Sequence, residues 1–269
     1  MPWCLELSTD DPERLAWAVV ELGALDVELE ADHLRALLPD QVGAELVGVA
    51  LGLSASRIAG MRCSPALPRD DASTWVLRLP ERRVGPVVLA APGREGPNVV
   101  TLRDGAAFGT GLHATTRLCL DGMLEIYGSE TAFPAMLDVG TGSGVLALVA
   151  LALGAPSAVG VEIDPAALAE ARQNAVDNRA GGRLHLVAGR PEQVTGVFGL
   201  VVANLVPGPI LAMAATLPQR LAPGGRLLLS GLTPSVSAEV VRVYRHQGLR
   251  LWRQEDRSGW VLLVFDASW

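Results

Sequence analysis

The stretch Leu137–Gly144 reads Leu-Asp-Val-Gly-Thr-Gly-Ser-Gly and joins two apolar segments of the chain. Met136–Val139 predicts a buried strand before the glycines, and Val145–Leu153 predicts a buried helix after them that ends at Gly154. Glycines at such a junction make a tight turn and let the backbone approach a ligand closely. The segment therefore predicts an α/β unit with a ligand-binding turn where its strand ends.

The chain beyond this turn keeps alternating strand and helix patterns. The Asp164-Pro165 pair predicts a helix start, because Asp caps a first turn and Pro fits its first position. This order is typical of a mainly parallel, Rossmann-like α/β sheet with helices on both faces. The further predicted strands are Ala158–Ile163, Leu184–Ala188, Leu200–Ala203, Arg226–Ser230, Leu249–Arg253 and Trp260–Phe265, and helices are predicted at Ile210–Leu221 and Ser235–Gln247.

The first ~130 residues are richer in proline and in irregular connections. Short apolar runs alternate there with helix-like segments, which predicts a small α+β domain over residues 1–64. Residues 65–100 predict a linker region, and residues 101–269 form the predicted domain with the glycine turn. The strands predicted in this part are Leu5–Leu7, Leu25–Leu29, Trp75–Leu79 and Val87–Ala91, and the helices are Pro12–Leu22 and Val42–Leu53.

The composition narrows the classes of function. The 269 residues carry a net charge of −7 and contain no basic arm, which disfavours direct binding of nucleic acid. The three cysteines are far apart, so we expect no disulfide framework, no metal site and a cytoplasmic setting. The uncharged stretch Val139–Val161 is long enough to span a membrane, but glycines and Pro156 divide it, which predicts a buried α/β unit instead.

Two details of the glycine turn indicate its ligand. The spacing is Gly-x-Gly-x-Gly, whereas dinucleotide-binding turns have Gly-x-Gly-x-x-Gly. Asp138 stands directly before the glycines, where its carboxylate can reach the methionine ammonium of S-adenosylmethionine and would repel a pyrophosphate. We therefore predict an S-adenosylmethionine site that includes Asp138, Gly140 and Gly142. A dinucleotide site and a purely structural turn are the alternatives.

A second acidic position favours the same kind of ligand. Glu162 lies 22 residues after Gly140, at the end of the next predicted strand. An acid at this place hydrogen-bonds ribose hydroxyls in nucleotide-binding α/β folds. We predict that Glu162 binds the ribose, that Ile163 packs on the adenine, and that Asp164 caps the following helix.

The segment Asn204-Leu205-Val206-Pro207 follows another predicted strand. Ligands of such sheets bind beyond the carboxyl ends of the strands, and an Asn amide there offers an acceptor and two donors. Many amino-group methyltransferases have Asn or Asp followed by proline at this place. We predict that Asn204 accepts a hydrogen bond from a target amine and aims its lone pair at the methyl carbon. An ordinary loop asparagine is the alternative.

The segment upstream of the glycine turn completes a resemblance to a known family. Residues 108–116 read Phe-Gly-Thr-Gly-Leu-His-Ala-Thr-Thr, a Gly-rich loop that leads into a helix capped by threonine. Together with the glycine turn, Gly160–Pro165, Val202–Leu205 and Leu229–Leu232, this segment resembles PrmA, the ribosomal protein L11 methyltransferase family of class I enzymes. The resemblance covers residues 103–265.

This resemblance implies a cofactor, a substrate and a set of site residues. PrmA-like enzymes use S-adenosylmethionine to methylate lysine side chains and the N-terminal amine of a ribosomal protein, which a small N-terminal domain recognises. The first hundred residues match weakly, so cofactor use carries over better than the substrate. The resemblance also implies that Phe108–Gly111 covers the site. The predicted cofactor contacts, by position, are Phe108, Gly109, Thr110, Thr115, Thr116, Asp138, Gly140, Gly142, Glu162, Ile163 and Asn204.

The expected reaction is an in-line displacement in which a neutral amine attacks a sulfonium methyl group, helped mainly by orientation and exclusion of water. It needs neither a metal nor a covalent enzyme intermediate, and no general base is assigned. The expected partner is ribosomal protein L11. The alternatives are a PrmA-like enzyme that acts on another protein or a small-molecule amine, a catalytically silent protein with the same fold, and a dinucleotide oxidoreductase.

Overall fold

The chain divides into two units, Met1–Leu79 and Pro80–Trp269, and each has its own buried apolar cluster. The domain boundaries stay predictions; residues 80–100, which the sequence predicts as part of a linker, belong to the larger unit. The computed structural model describes residues 3–9, 15, 19, 26–30, 33–38, 48, 52–65, 82–103, 114–129, 134–257, 259–267 and 269.

The smaller unit contains a four-stranded antiparallel sheet. Its described elements are β1 (Trp3–Ser8), β2 (Asp26–Glu30), β3 (His33–Leu38), helix α1 (Ala55–Gly60) and β4 (Arg62–Pro65). The strands stand in the order β2-β3-β1-β4. Leu5 and Leu7 alternate along β1 and are both buried, as the two-residue period of a strand requires.

The sequence predictions for the smaller unit meet the structure in part. The strands predicted at Leu5–Leu7 and Leu25–Leu29 correspond to β1 and β2. The helices predicted over 12–22 and 42–53 lie outside the described residues except at a few isolated positions. The strand predicted over 75–79 lies wholly outside them.

A three-stranded sheet opens the larger unit. It consists of β5 (Arg82–Val84), β6 (Val87–Ala90) and β7 (Val99–Thr101), with β5 antiparallel and β7 parallel to β6. β5 contacts the later helix Ala114–Ser129, and β7 contacts the helix Val145–Ala152. This packing gives the segment a place in the larger unit, although its irregular sequence predicts a linker with one strand.

Seven strands form the main sheet of the larger unit. It follows the order β10-β9-β8-β11-β12-β14-β13, parallel from β10 to β12 and antiparallel at β14 and β13. The prediction of a mainly parallel, Rossmann-like α/β sheet is confirmed. The elements are α2 (Ala114–Ser129), β8 (Met136–Val139), α3 (Val145–Ala152), β9 (Ala158–Glu162), α4 (Pro165–Asp177), β10 (Leu184–Ala188), β11 (Phe198–Asn204), α5 (Pro207–Ala212), β12 (Leu221–Leu232), α6 (Pro234–His246), β13 (Leu249–Arg257) and β14 (Trp260–Ala267).

The strand order places a topological switch point beside β8. From β8 the chain proceeds through β9 to β10 on one side, and then returns to β11 on the other side. Ligands of open α/β sheets bind in the crevice beyond the carboxyl ends of the strands at such a point. The carboxyl ends of β8, β9 and β11 therefore define the place where a site is expected.

The apolar runs of the sequence correspond to elements that are covered on both faces. All four residues of β8 are buried, and so are the first seven of the eight residues of α3. Parallel strands and the helices against them have this uniform burial because the crossover helices cover both faces of the sheet. Within the described residues, no helix has the length and apolarity needed to cross a membrane.

One predicted helix is wrong. The sequence predicts a helix over Ile210–Leu221, but α5 ends at Ala212 and a 3-10 turn follows at Pro218–Arg220 before β12 begins. Pro218 has no backbone N–H to continue a helix, and Pro207 fits the first turn of α5 instead. The apolar periodicity of this segment therefore reflects two short helical pieces.

Candidate active site at the carboxyl ends of β8, β9 and β11

The glycine turn after β8 has the tight geometry that its sequence predicts. Gly140, Gly142 and Gly144 have φ angles of 74°, 53° and 84°, in the left-handed region that favours glycine. A Cβ atom on Gly140 would lie 2.5 Å from Cδ2 of Leu205. A side chain at position 140 would therefore displace the Leu205 side chain.

Asp138 is buried under this turn with one oxygen satisfied. Thr141 Oγ1 donates to its Oδ2 at 2.7 Å, while Oδ1 is buried and has no partner among the described residues. Burial raises the pKa of Asp138 to about 7; hydrogen bonds from Thr141 and from the backbone N–H of Ala147 oppose this shift, and the Glu162 charge adds to it. A cation next to Oδ1 would reverse the effect of burial, because an opposite charge favours the carboxylate.

Glu162 at the end of β9 connects the glycine turn after β8 to the turn that follows β9. Its Oε2 accepts from Gly142 N at 3.0 Å, and its Oε1 accepts from the backbone N–H groups of Ile163 at 2.8 Å and Asp164 at 3.0 Å. The predicted ribose contact therefore comes from a carboxylate that already holds the glycine turn. Asp164 accepts from Ala166 N at 2.9 Å, so its predicted role as a helix cap is confirmed.

Ile163 follows Glu162 with its side chain open to solvent. The exposed fraction of Ile163 is 69%, which is high for a large apolar residue. It lies just past the carboxyl end of β9, on the side of the sheet edge where a nucleotide base is expected. Packing of Ile163 on adenine stays a prediction that this exposure accommodates.

Asn204 ends β11 and its amide is held from one side only. Its Nδ2 donates to Thr116 Oγ1 at 3.3 Å, while its Oδ1 is buried and has no partner among the described residues. Thr116 is buried at the start of α2, as is the neighbouring Thr115. The amide therefore has one occupied donor and an acceptor oxygen that remains for a ligand.

The loop predicted to cover the site cannot be placed against these residues. Phe108, Gly109 and Thr110 lie outside the described residues, as does His113. Their predicted contacts with the cofactor stay predictions. The hydroxyl of Thr116 contacts Asn204, and the predicted contact of Thr116 with the cofactor also stays a prediction.

Two asparagines that no sequence pattern singles out, Asn174 in α4 and Asn178 directly after it, link segments next to the site. Asn174 is fully buried, donates to Ser143 O at 2.9 Å and accepts from Arg103 N at 3.0 Å. Asn178 accepts from Thr101 N at 2.8 Å and donates to Thr101 O at 2.6 Å. These bonds connect the turn and the end of α4 to β7 and to Arg103. The apolar helix pattern alone carries no signal for them.

The described residues fit S-adenosylmethionine by three observations. Asp138 presents a buried oxygen without a partner, which suits an ammonium group. The glycine turn has the left-handed backbone of a ligand-binding strand-to-helix turn, and Glu162 stands where ribose hydroxyls are bound in related folds. A pyrophosphate would face the Asp138 carboxylate, so a dinucleotide fits poorly. Among the described residues, no group of His, Cys, Asp and Glu side chains is arranged to hold a metal.

A separate cleft of 580 Å³ lies between the β6–β7 loop and the end of α4. Two ion pairs line it: Arg103 contacts Asp177 at 2.5 Å, and Arg179 contacts Glu95 at 3.7 Å. The residues lining it include none of the predicted site residues. The chemistry described above lies at the switch point of the main sheet, away from this cleft.

Comparison with known protein sequences agrees with the geometry. The family described as ribosomal protein L11 methyltransferase (PrmA) matches residues 83–268. A ribosomal protein L11 methyltransferase from Ralstonia nicotianae is 35% identical over 301 residues, covering 96% of this chain and 96% of the relative. The one from Chromohalobacter salexigens is 45% identical over 206 residues, covering 74% of this chain and 67% of the relative.

Solved structures show the same fold. A ribosomal protein L11 methylase from Lactobacillus delbrueckii subsp. bulgaricus matches with a TM-score of 0.62 and 23% identity, over 70% of this chain and 99% of that one. A precorrin-6y C5,15-methyltransferase from Geobacter metallireducens matches with a TM-score of 0.52 and 17% identity, over 64% and 98%. With the sequence matches, the conclusion is that this chain belongs to the ribosomal protein L11 methyltransferase (PrmA) family and is an S-adenosylmethionine-dependent methyltransferase.

Proposed function

We propose that this enzyme transfers methyl groups to amino groups of ribosomal protein L11, on lysine side chains and on the N-terminus. Membership of the family supports L11 as the substrate, because the relatives that match nearly the whole chain bear that name. The observation that carries the reaction type is the amide of Asn204, whose buried Oδ1 is an acceptor without a partner among the described residues.

The Asn204 amide is suited to orient an amine. Its Nδ2 is bonded to Thr116, so the amide cannot rotate freely and Oδ1 keeps one direction. An amine that donates one N–H to Oδ1 has its lone pair directed by that bond, and such orientation is a major source of rate enhancement in displacement reactions. We therefore propose Asn204 as the catalytic residue that positions the acceptor.

The rest of the site binds the cofactor in this proposal. S-adenosylmethionine, when bound, supplies an electrophilic methyl group on a positive sulfonium. Asp138 faces the methionine ammonium, Gly140 and Gly142 provide the close backbone approach, and Glu162 holds the ribose while it keeps the glycine turn in place. The further residues assigned to the cofactor are Phe108, Gly109, Thr110, Thr115, Thr116 and Ile163.

The amine must reach the site without its proton. An unperturbed lysine has a pKa of about 10.4, and desolvation beside a positive charge lowers that pKa. The new N–C bond forms as the C–S bond breaks, and the amine nitrogen then loses a proton to solvent. Burial raises the pKa of the Cys119 thiol, and the nearby Asp138 charge raises it further, so this thiol stays protonated and takes no part as a nucleophile.

The proposal includes a setting for the reaction. A cytoplasmic location suits an enzyme that modifies a ribosomal protein, and Cys63 and Cys119 are free thiols, as a reducing compartment favours. We assign substrate recognition to the smaller unit and no direct contact with nucleic acid, in keeping with the net charge of −7.

The substitution Asn204→Ala tests the role of the amide. We expect kcat to fall about 100-fold, because the acceptor loses its orienting bond, while affinity for S-adenosylhomocysteine stays within about threefold. Asn204→Asp keeps an acceptor oxygen and should retain more activity than Asn204→Ala. Equal losses of turnover and cofactor affinity in Asn204→Ala would contradict the positioning role.

The substrate is tested separately with labelled S-adenosylmethionine and unmodified ribosomal protein L11, read by mass spectrometry. Methylated lysines or a methylated N-terminus are the expected result. If the enzyme binds S-adenosylhomocysteine but transfers no methyl group to L11, then L11 is the wrong substrate. Another protein or a small-molecule amine would then take its place.

A further inference from the structure

Leu205 lies between two glycines that come from different parts of the chain. On one side, a Cβ on Gly140 would lie 2.5 Å from Leu205 Cδ2. On the other side, a Cβ on Gly231 would lie 2.2 Å from the Leu205 carbonyl oxygen and 2.7 Å from the carbonyl carbon. The side chain of Leu205 thus rests on the glycine turn, and its main chain rests on β12.

The main-chain side of this contact is rigid. Leu205 N donates to Ser230 O at 3.1 Å, directly after the point where β11 and β12 are paired at Asn204 and Ser230. Gly231 has a φ of 85°, and the pairing of β12 with β14 shifts its register between Leu229 and Leu232. Bulges of this kind re-aim a chain next to active sites. This bulge lets β12 pass close under the peptide that follows Asn204.

The side-chain side of the contact lies on the part of the molecule that holds the cofactor. Gly140 N donates to Val161 O at 2.9 Å, so the first glycine of the turn is fixed to β9. The isobutyl group of Leu205 occupies the space left by the missing side chain of Gly140. A shift of the glycine turn therefore displaces Leu205 against a main chain that β12 prevents from moving away.

We propose that Leu205 is a positioning residue that couples the conformation of the glycine turn to the Asn204 amide. The inference rests on the proposed function, in which the turn binds the cofactor and Asn204 receives the amine. When the cofactor is bound, the turn is fixed and Leu205 is held against Gly231. The side-chain carbonyl of Asn204 then keeps its direction. Such coupling is reciprocal, so a substrate amine bound to Asn204 also favours the conformation that the turn has with the cofactor.

A first experiment needs no methyl acceptor. Amide hydrogen exchange is measured at Leu205, whose N–H is bonded to Ser230, with and without S-adenosylhomocysteine. We expect the ligand to slow this exchange at least fivefold in the native protein and in Leu205→Met, which keeps the volume of the side chain. In Leu205→Ala the slowing should fall below twofold. Val206→Ala is the matched control, because Val206 is 64% exposed on the same loop and should keep the fivefold effect.

Ligand-induced slowing that is the same in Leu205→Ala as in the native protein would overturn the coupling. So would an Leu205→Ala protein whose affinity for S-adenosylhomocysteine falls tenfold or more, since the loss would then belong to cofactor binding itself. Circular dichroism checks that each variant is folded. Leu205 is only half-buried, so its truncation should leave the sheet intact.

A second experiment measures turnover on the methyl acceptor. Leu205→Ala should lower kcat at least tenfold with the KM for S-adenosylmethionine within threefold, and Leu205→Met should restore kcat to within threefold of the native value. An unchanged kcat in Leu205→Ala would overturn the positioning role. If Asn204→Ala retains full turnover while the exchange result holds, the amine role of Asn204 fails and the coupling of Leu205 to the turn stands.

Discussion

The turns after β8 and β11 follow neighbouring strands of one sheet, yet different kinds of contact determine their conformations. The turn after β8 contains strong local determinants: Asp138 and Thr141 bond to each other, and three glycines supply its left-handed backbone, while Glu162 and Asn174 bond to it from further along the chain. The turn after β11 has no glycine between Asn204 and Pro207, and its shape depends on contacts from Thr116 and Gly231. The glycines of the first turn encode its backbone conformation locally, whereas the second turn has no such local signal and takes its shape from distant parts of the chain.

This difference matches the two tasks that we assign to the turns. In this proposal the cofactor closely approaches the backbone of the first turn, and a short glycine-rich segment supplies that backbone conformation. An acceptor site must be aligned with the cofactor, and a segment shaped by both its neighbours is well placed for alignment. Breaking each turn in isolation should therefore produce different defects.

The largest expected effect is on cofactor affinity in Asp138→Ala. Removing one partner of a buried ionic contact costs about 3–5 kcal/mol, which corresponds to roughly 10²–10⁴-fold weaker binding of S-adenosylhomocysteine. Asp256→Ala removes an exposed acid of β13 and should leave the affinity unchanged. Isothermal titration calorimetry measures both. A loss below threefold in Asp138→Ala would remove the proposed ammonium contact.

Features that depend on neighbouring residues can be predicted from the sequence, whereas contacts between distant residues cannot. β8 and β10 have the bounds that the sequence predicts, because their apolar runs are bounded by local turn signals. The positions of Asp138 and Glu162 at one sheet edge also follow from the strand order. The bond from Asn204 to Thr116 spans 88 residues, and no local pattern encodes it.

Polar groups inside helices escape sequence analysis for the same reason. The face of α4 that Leu168 and Ala171 mark as apolar also buries Asn174, which contacts the glycine turn and Arg103. An asparagine in a helix is ordinarily exposed, and its burial makes sense only with both partners in place. Gly231 belongs to the family motif Leu229–Leu232, but its closeness to Leu205 can be found only from the three-dimensional structure.

The second prediction compares the glycines of the two turns by their stability. Gly231→Ala adds left-handed strain and a clash with backbone atoms of Leu205, which we expect to lower the free energy of unfolding by about 3 kcal/mol or more. In Gly140→Ala the closest atom is the flexible end of the Leu205 side chain, so the loss should be about 1–2 kcal/mol. Urea denaturation measures both values.

A control for this pair exists in the same sheet. Gly224 has a φ of 71° and nothing within 4 Å of an added Cβ, so Gly224→Ala reports the backbone strain alone. We expect Gly224→Ala to cost about 1 kcal/mol. If Gly231→Ala were no more destabilising than Gly224→Ala, the rigid contact under Leu205 would be absent in solution.

The third prediction uses the pKa of Asp138, which burial raises to about 7. The cofactor ammonium favours the carboxylate, so affinity for S-adenosylhomocysteine should rise about tenfold per pH unit from pH 5 and level off near pH 7. The free energy of unfolding without ligand should change in the opposite direction. A folded-state pKa raised from 3.8 favours the protonated fold, so this contribution is lost as pH rises towards 7.

The substitution Asp138→Asn removes the titrating group and should flatten both profiles. Its effect on stability also has a sign: at pH 8 the variant should be more stable than the native protein without ligand, and at pH 5 the difference should shrink. Titration calorimetry and thermal unfolding across this range provide the data. Parallel pH profiles for the native protein and Asp138→Asn would show that another group controls the turn.

The smallest effect separates backbone strain from contact at a third left-handed position. Arg179 has a φ of 52° just past the end of α4, where the bonds from Ala180 N to Ala175 O and from Arg179 N to Val176 O close the helix in a Schellman pattern. Glycine is preferred at this place, and Arg179 is 89% exposed on its side chain with only a 3.7 Å ion pair to Glu95. Arg179→Gly should therefore raise the free energy of unfolding by about 1 kcal/mol and leave kcat unchanged. A loss of stability would mean that the left-handed backbone costs less than we assign to it at Gly140 and Gly231, and the difference between the two turns would then rest on their contacts alone.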